Sequence, residues 1–176
     1  MVRGIDEKPY LEWLDGVESL VVSPNPPHGI VAIEIGTILH RLGSAFGTSA
    51  VEVHLRLDDD AHHRTVLLLD VVFYRDETML GIPQQDRMLP NVPPEIIVDV
   101  RSPNDRPGFR EAKIARYVAW GCPLVLDVSV TPRAIVAITR DGARTYRPGD
   151  RFEHPAVPWL QFQVGEVFAK LDLFGF

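Results

Sequence analysis

The sequence predicts an α/β fold: a mixed central β-sheet flanked by helices, with an N-terminal β-hairpin. Three observations lead there. Two runs, "RTVLLLDVVFY" (64–74) and "PEIIVDVRS" (94–102), are apolar on both faces, as central strands covered on both sides would be. Two longer segments, "PPHGIVAIEIGTILHRLG" (26–43) and "NDRPGFREAKIARYVAWG" (104–121), carry helical patterning. The fifteen prolines gather at element boundaries, in "SPNPPHG", "MLPNVPPE", "SPNDRPG" and "HPAVPW". That pattern predicts one domain, 1–176, with firm corners.

Taken in order, "YLEWLDGVESLVV" reads as a hairpin turning at Asp15-Gly16. In the first helix Val31, Ile35, Ile38 and Leu42 form an apolar stripe, and Gly43 ends it. "SAVEVHLRL" alternates apolar and polar, so it predicts a half-buried strand. "DDDAHH" (58–63) lies between two strands and reads as a solvated hairpin turn rather than a metal site. The second helix has Ser102 and Asp105 placed for a capping-box-like start and Gly121 as its stop. "PLVLDVSV", "AIVAITR" and "ARTYR" predict three more strands, the last two joined at Asp141-Gly142, and "VGEVFAKL" a short closing helix.

Composition narrows the function classes. The 176 residues are 45% hydrophobic and 24% charged, and suit a soluble globular domain. No apolar run approaches the ~20 residues of a membrane span, and "MVRGIDEKPY" has no apolar secretory core. With one cysteine, Cys122, which reads as a buried small apolar residue, the expected location is cytoplasmic. A net charge of −6 argues against coating nucleic acid by bulk electrostatics. It leaves open a nuclease whose metal and local basic patch offset acidity elsewhere.

Each central run carries one aspartate, Asp70 and Asp99. An isolated carboxylate in apolar surroundings is costly, so each needs a cation, hydrogen-bond donors or a metal. Period two puts Asp99 and Arg101 on one strand face, roughly 6–7 Å apart. On the next helix Arg106, Arg110, Lys113 and Tyr117 recur at i, i+4, i+7 and i+11, one stripe flanked by Phe109 and Trp120. Packed beside the sheet, that stripe brings Lys113 to Asp70 and Asp99. Two carboxylates for Mg2+ or Mn2+ plus a lysine make a workable phosphodiester-cleaving site. The same residues also suit a buried ion network with no chemistry.

"EWLDGVE", "SPNPPHG", "LDVVFY", "PPEIIVDVRSPNDR", "EAKIARYVAWG" and "YRPGDRF" follow one another in order. Over about residues 10 to 170 the chain resembles the Uma-two family of restriction endonucleases, a branch of the PD-(D/E)XK nuclease superfamily. The resemblance implies a restriction-endonuclease-like fold and metal-dependent hydrolysis of DNA. It implies that Asp70 and Asp99 are the motif acids that hold the metal and that Lys113 is the motif lysine, displaced onto the following helix. It further implies Glu34 as an extra acidic ligand and His28 as an accessory residue at the helix start. Read as residues alone, Glu34 also suits a solvated helix flank and His28 a hydrogen-bonded boundary position. Arg106 and Arg110, with Arg101 beside Asp99, are the expected nucleic-acid-binding residues. Arg101 is second to Lys113 for the lysine's role, because an arginine stays protonated. Cutting both strands suits a homodimer. Leu69 stands where the family usually has proline, and Asp99 where it usually has glutamate. These departures, with the acidic charge, support the other reading, a catalytically silent binding or dimeric interaction module.

Overall fold

The structure, a computed structural model, describes residues 10–21, 25–58, 64–102 and 107–176. The hairpin comes first, β1 (Leu11–Leu14) and β2 (Val17–Leu20), paired antiparallel. Asp15 (φ 52°) and Gly16 (φ 80°) both sit in the left-handed region, the two-residue turn that matches strand twist. Helix α1 (Pro26–Gly43) begins where the Asn25 side chain accepts the His28 N–H at 3.0 Å, with prolines in the first turn where no N–H is needed. Strands β3 (Gly47–Asp58) and β4 (Thr65–Arg75) form a long antiparallel pair. The predicted turn at 58–63 lies outside the described residues, apart from the backbone of Asp58 at the end of β3.

A short helix, α2 (Asp76–Gly81), leads toward β5 (Ile96–Val100). Helix α3 (Pro107–Trp120) then crosses over to β6 (Leu124–Ser129), which lies parallel to β5. The capping role expected of Asp105 falls outside the described residues. Gly121, at φ 101°, stops α3 as the sequence predicts. Antiparallel β7 (Ala134–Thr139) and β8 (Gly142–Tyr146) complete the sheet. A two-stranded ribbon, β9 (Arg151–Phe152) and β10 (Phe162–Gln163), precedes α4 (Val164–Phe174). The predicted closing helix is therefore longer than its motif, and α2 and the ribbon are additions that short, weakly periodic segments do not announce.

The sheet runs β2-β1-β4-β5-β6-β7-β8, with β3 on β4. One face packs α1 and α4 against it: Val31, Ile35, Ile38 and Leu39 meet Val71, Phe73, Val98 and Phe168. The other face carries α3, with Tyr117 buried among Leu69, Val72, Ile97 and Val125. Each such fully buried side chain contributes about 1.5–3 kcal/mol of burial free energy. Asp99 follows Ile97 at strand spacing, so it faces α3, while its neighbours Val98 and Val100 face α1 and α4.

One irregularity of this sheet creates the site. Strand β3 fills one edge of β4 along almost all its length, from Arg75 to Thr65. The other edge is shared end to end. β1 meets it at Val66, and β5 meets it from Val71 to Phe73. Residues 67–70 thus lie at a fork, where β4 has left β5 and only begins to approach β1.

Candidate functional site

At the fork, side chains replace the missing ladder. Continuing the Val71↔Val98 register by one step sets Asp70 opposite Asp99. Asp70 Oδ2 accepts the Val100 N–H at 2.7 Å. Its Oδ1 lies 3.3 Å from His28 Nε2, at the start of α1. From the other side β1 supplies Glu12, a buried carboxylate. The Val100 N–H is thus met by a carboxylate, as buried backbone groups require a partner.

Helix α3 closes the site with the predicted stripe. Arg110 Nη1 donates to Asp99 Oδ1 at 2.6 Å. Tyr117 Oη donates to Asp99 Oδ2 at 3.3 Å, and Lys113 Nζ lies 3.6 Å from the same oxygen. Lys113 also donates to Glu12 Oε2 at 3.2 Å, so its ammonium bridges two carboxylates from separate strands. Burial alone would push the Lys113 pKa down. The surrounding carboxylates of Asp99, Glu12 and Asp70 more than offset that and hold it well above the usual lysine value. Burial raises Glu12, and Lys113 only partly counters it; burial likewise raises Tyr117 well above the ordinary phenol. Lys113 is thus held in its charged form.

A second ion network stands behind Asp99. Asp127 on β6 lies beside Asp99 in the parallel register and accepts hydrogen bonds from Arg110 Nη2 and, in a two-point contact at 3.1 and 2.6 Å, from Arg101. Burial would raise the Asp127 pKa, but the hydrogen bonds from Arg101 and Arg110 outweigh it and hold the carboxyl below its ordinary value. A depressed acid stabilises the fold above the unfolded value of 3.8, and that contribution is lost as pH falls through the lower folded value. Asp127→Asn is therefore expected to cost about 1.5–3 kcal/mol at neutral pH. The gap from the parent should close below about pH 4. Urea midpoints at neutral and acid pH check this, and a gap unchanged by acid would overturn it.

The sequence-derived residues divide as follows. Asp70, Asp99, Lys113 and His28 come together at the fork. Arg101 is half-exposed beside them and is paired to Asp127 rather than poised on Asp99. Arg110, expected to contact phosphate, is 8% exposed and turned inward onto Asp99 and Asp127, two buried carboxylates that need its charge. Arg106 lies outside the described residues. Glu34 is half-buried on α1 six residues past His28, about 9 Å farther along the helix and on another face, so it does not meet Asp70 as His28 does. Among the described residues no three His, Cys, Asp or Glu side chains group as metal ligands.

Two members escaped the sequence reading. Asp127 carries the signal that exposed Asp99, a lone carboxylate in the apolar strand "LVLDVS", and the same rule would have found it. Glu12 sits in the quoted "EWLDGVE", but a short hairpin gives no hint that its strand reaches the sheet centre.

The donor set fits a magnesium-type ion. Asp70 and Asp99 offer hard carboxylate oxygens, each with lone pairs beyond those already engaged. Mg2+ commonly takes only one or two protein carboxylates and completes its shell with water and phosphate. Asp70, with a side chain 26% exposed, is the open member; Asp99, at 8%, is the enclosed one.

Comparison with known proteins adds to this geometry. A family model described as "Putative restriction endonuclease", Uma2, matches residues 5–165. A crystal structure from Anabaena variabilis ATCC 29413, described as a "putative nuclease belonging to DUF820", has a TM-score of 0.79 and covers 94% of this chain and 93% of its own. At 11% sequence identity that likeness is one of fold. No curated protein matches.

Proposed function

This chain belongs to the Uma2 family, and we propose that it is a divalent-metal-dependent endodeoxyribonuclease that hydrolyses DNA phosphodiester bonds. The observation that carries the reading is the convergence on one strand fork of Asp70, Asp99 and Glu12 with the Lys113 ammonium. Asp70 and Asp99 would hold Mg2+ or Mn2+, which when bound polarises a phosphoryl oxygen and activates water. Lys113 stays protonated through the neutral range, so it stabilises negative charge building on the phosphate or orients the attacking water. His28 fixes the Asp70 carboxylate from α1 and leaves its other oxygen to the Val100 N–H. Arg101, whose side chain is 48% exposed, would meet the DNA backbone. Arg106 stays in the proposal as a further phosphate contact. Cleavage of both strands would use two copies of the chain.

A specific observation favours the second reading, a silent binding or interaction module. Both oxygens of Asp99 are already engaged by Arg110, Lys113 and Tyr117, so the network is satisfied without a metal. Titration with MgCl2 or MnCl2 by calorimetry, followed by supercoiled-plasmid nicking, separates the two. A nuclease is expected to bind the ion and nick only in its presence. A protein that binds no ion and leaves the plasmid intact is the silent module.

A further inference from the structure

We propose that Glu12 is a positioning residue of the site: it holds the Lys113 ammonium at the fork, which makes the N-terminal hairpin a working part of the active site. Three observations carry this. Glu12 is 7% exposed, and a carboxylate so enclosed is retained at a cost unless it is paired. Its Oε2 is the nearer of the two carboxylate oxygens that flank Lys113 Nζ, at 3.2 Å against 3.6 Å for Asp99. It also sits on β1 next to Trp13, which pairs with Val66 of β4, so the strand that carries Asp70 holds the lysine's partner in place. Without Glu12 the flexible lysine stem would have Asp99 alone to settle on, and Arg110 already competes for Asp99.

The consequence for rate rests on the nuclease reading; the consequence for the ammonium does not. The test is therefore twofold. In 1H–15N spectra of the lysine side-chain ammonium groups of the full chain, Lys113 is expected to give a slowly exchanging signal. In Glu12→Gln its hydrogen exchange should accelerate roughly tenfold or more, the loss of one charge-assisted hydrogen bond. Glu12→Asp, which keeps the charge, should restore part of the protection. In Mg2+-dependent plasmid nicking, Glu12→Gln should lower kcat roughly 10- to 100-fold and leave KM near the parent value. If Glu12→Gln does not fold, Glu12→Asp carries the test, with faster exchange expected from the retracted carboxylate. Lys113 exchange unchanged in the folded variant overturns the proposal. A parent protein that never nicks overturns the nuclease reading instead, and leaves the exchange measurement to judge Glu12.

Discussion

Asp99→Ala is expected to lower folding stability by about 3 kcal/mol, the low end for removing one partner of a buried ion pair. It is also expected to abolish uptake of Mg2+ or Mn2+. The stability loss follows from what stays behind. Arg110 keeps Asp127, but loses the Asp99 carboxylate that its Nη1 meets at 2.6 Å. Lys113 keeps Glu12, and Tyr117 loses the acceptor for its hydroxyl. Partial retention of partners is why the low end applies. Urea unfolding gives the stability and calorimetry the ion binding. A variant within about 1 kcal/mol of the parent would mean that the network does not hold this corner together. A variant that still binds the ion would remove Asp99 from the metal site. Asp99→Glu adds the methylene that the family usually carries, and faster nicking by it would mark the parent as a weakened enzyme rather than a lost one.

Lys113→Met should leave ion binding intact and slow nicking by about 10²–10³-fold, the scale for loss of one preorganised group that stabilises charge in a transition state. Methionine matches the lysine stem out to the ε position and drops only the ammonium, so the shape of the pocket survives. The variant also leaves Glu12 and Asp99 without their shared cation, so some loss of stability accompanies the loss of rate. Single-turnover nicking at saturating Mg2+ isolates the chemical step from binding. If Lys113→Met cuts as fast as the parent, Lys113 has no part in the chemistry.

Buried carboxylates carry much of this site, and that explains which parts of it the sequence could announce. A lone acid in an apolar run is costly wherever it is, so Asp70 and Asp99 stand out in the sequence itself. The stripe of Arg110, Lys113 and Tyr117 was legible because helical spacing places residues on one face whatever the helix packs against; all three meet Asp99. The role of Arg110 was not legible. Spacing says that a cation shares a face with Lys113, not whether that face meets solvent or a second acid. The neighbour that turned it inward, Asp127, comes from β6 and is adjacent only through the parallel crossover.

The sequence by itself determined the elements and their faces: the hairpin at Asp15-Gly16, the stripe of α1, the doubly covered strands and the acids embedded in them. These follow from periodicity and backbone preference, which are local. Tertiary structure decided the fork, where β1 and β5 share one edge of β4 and Glu12 reaches Lys113 from 101 residues away. Which strands meet along an edge depends on long-range packing, and no short window of sequence encodes it.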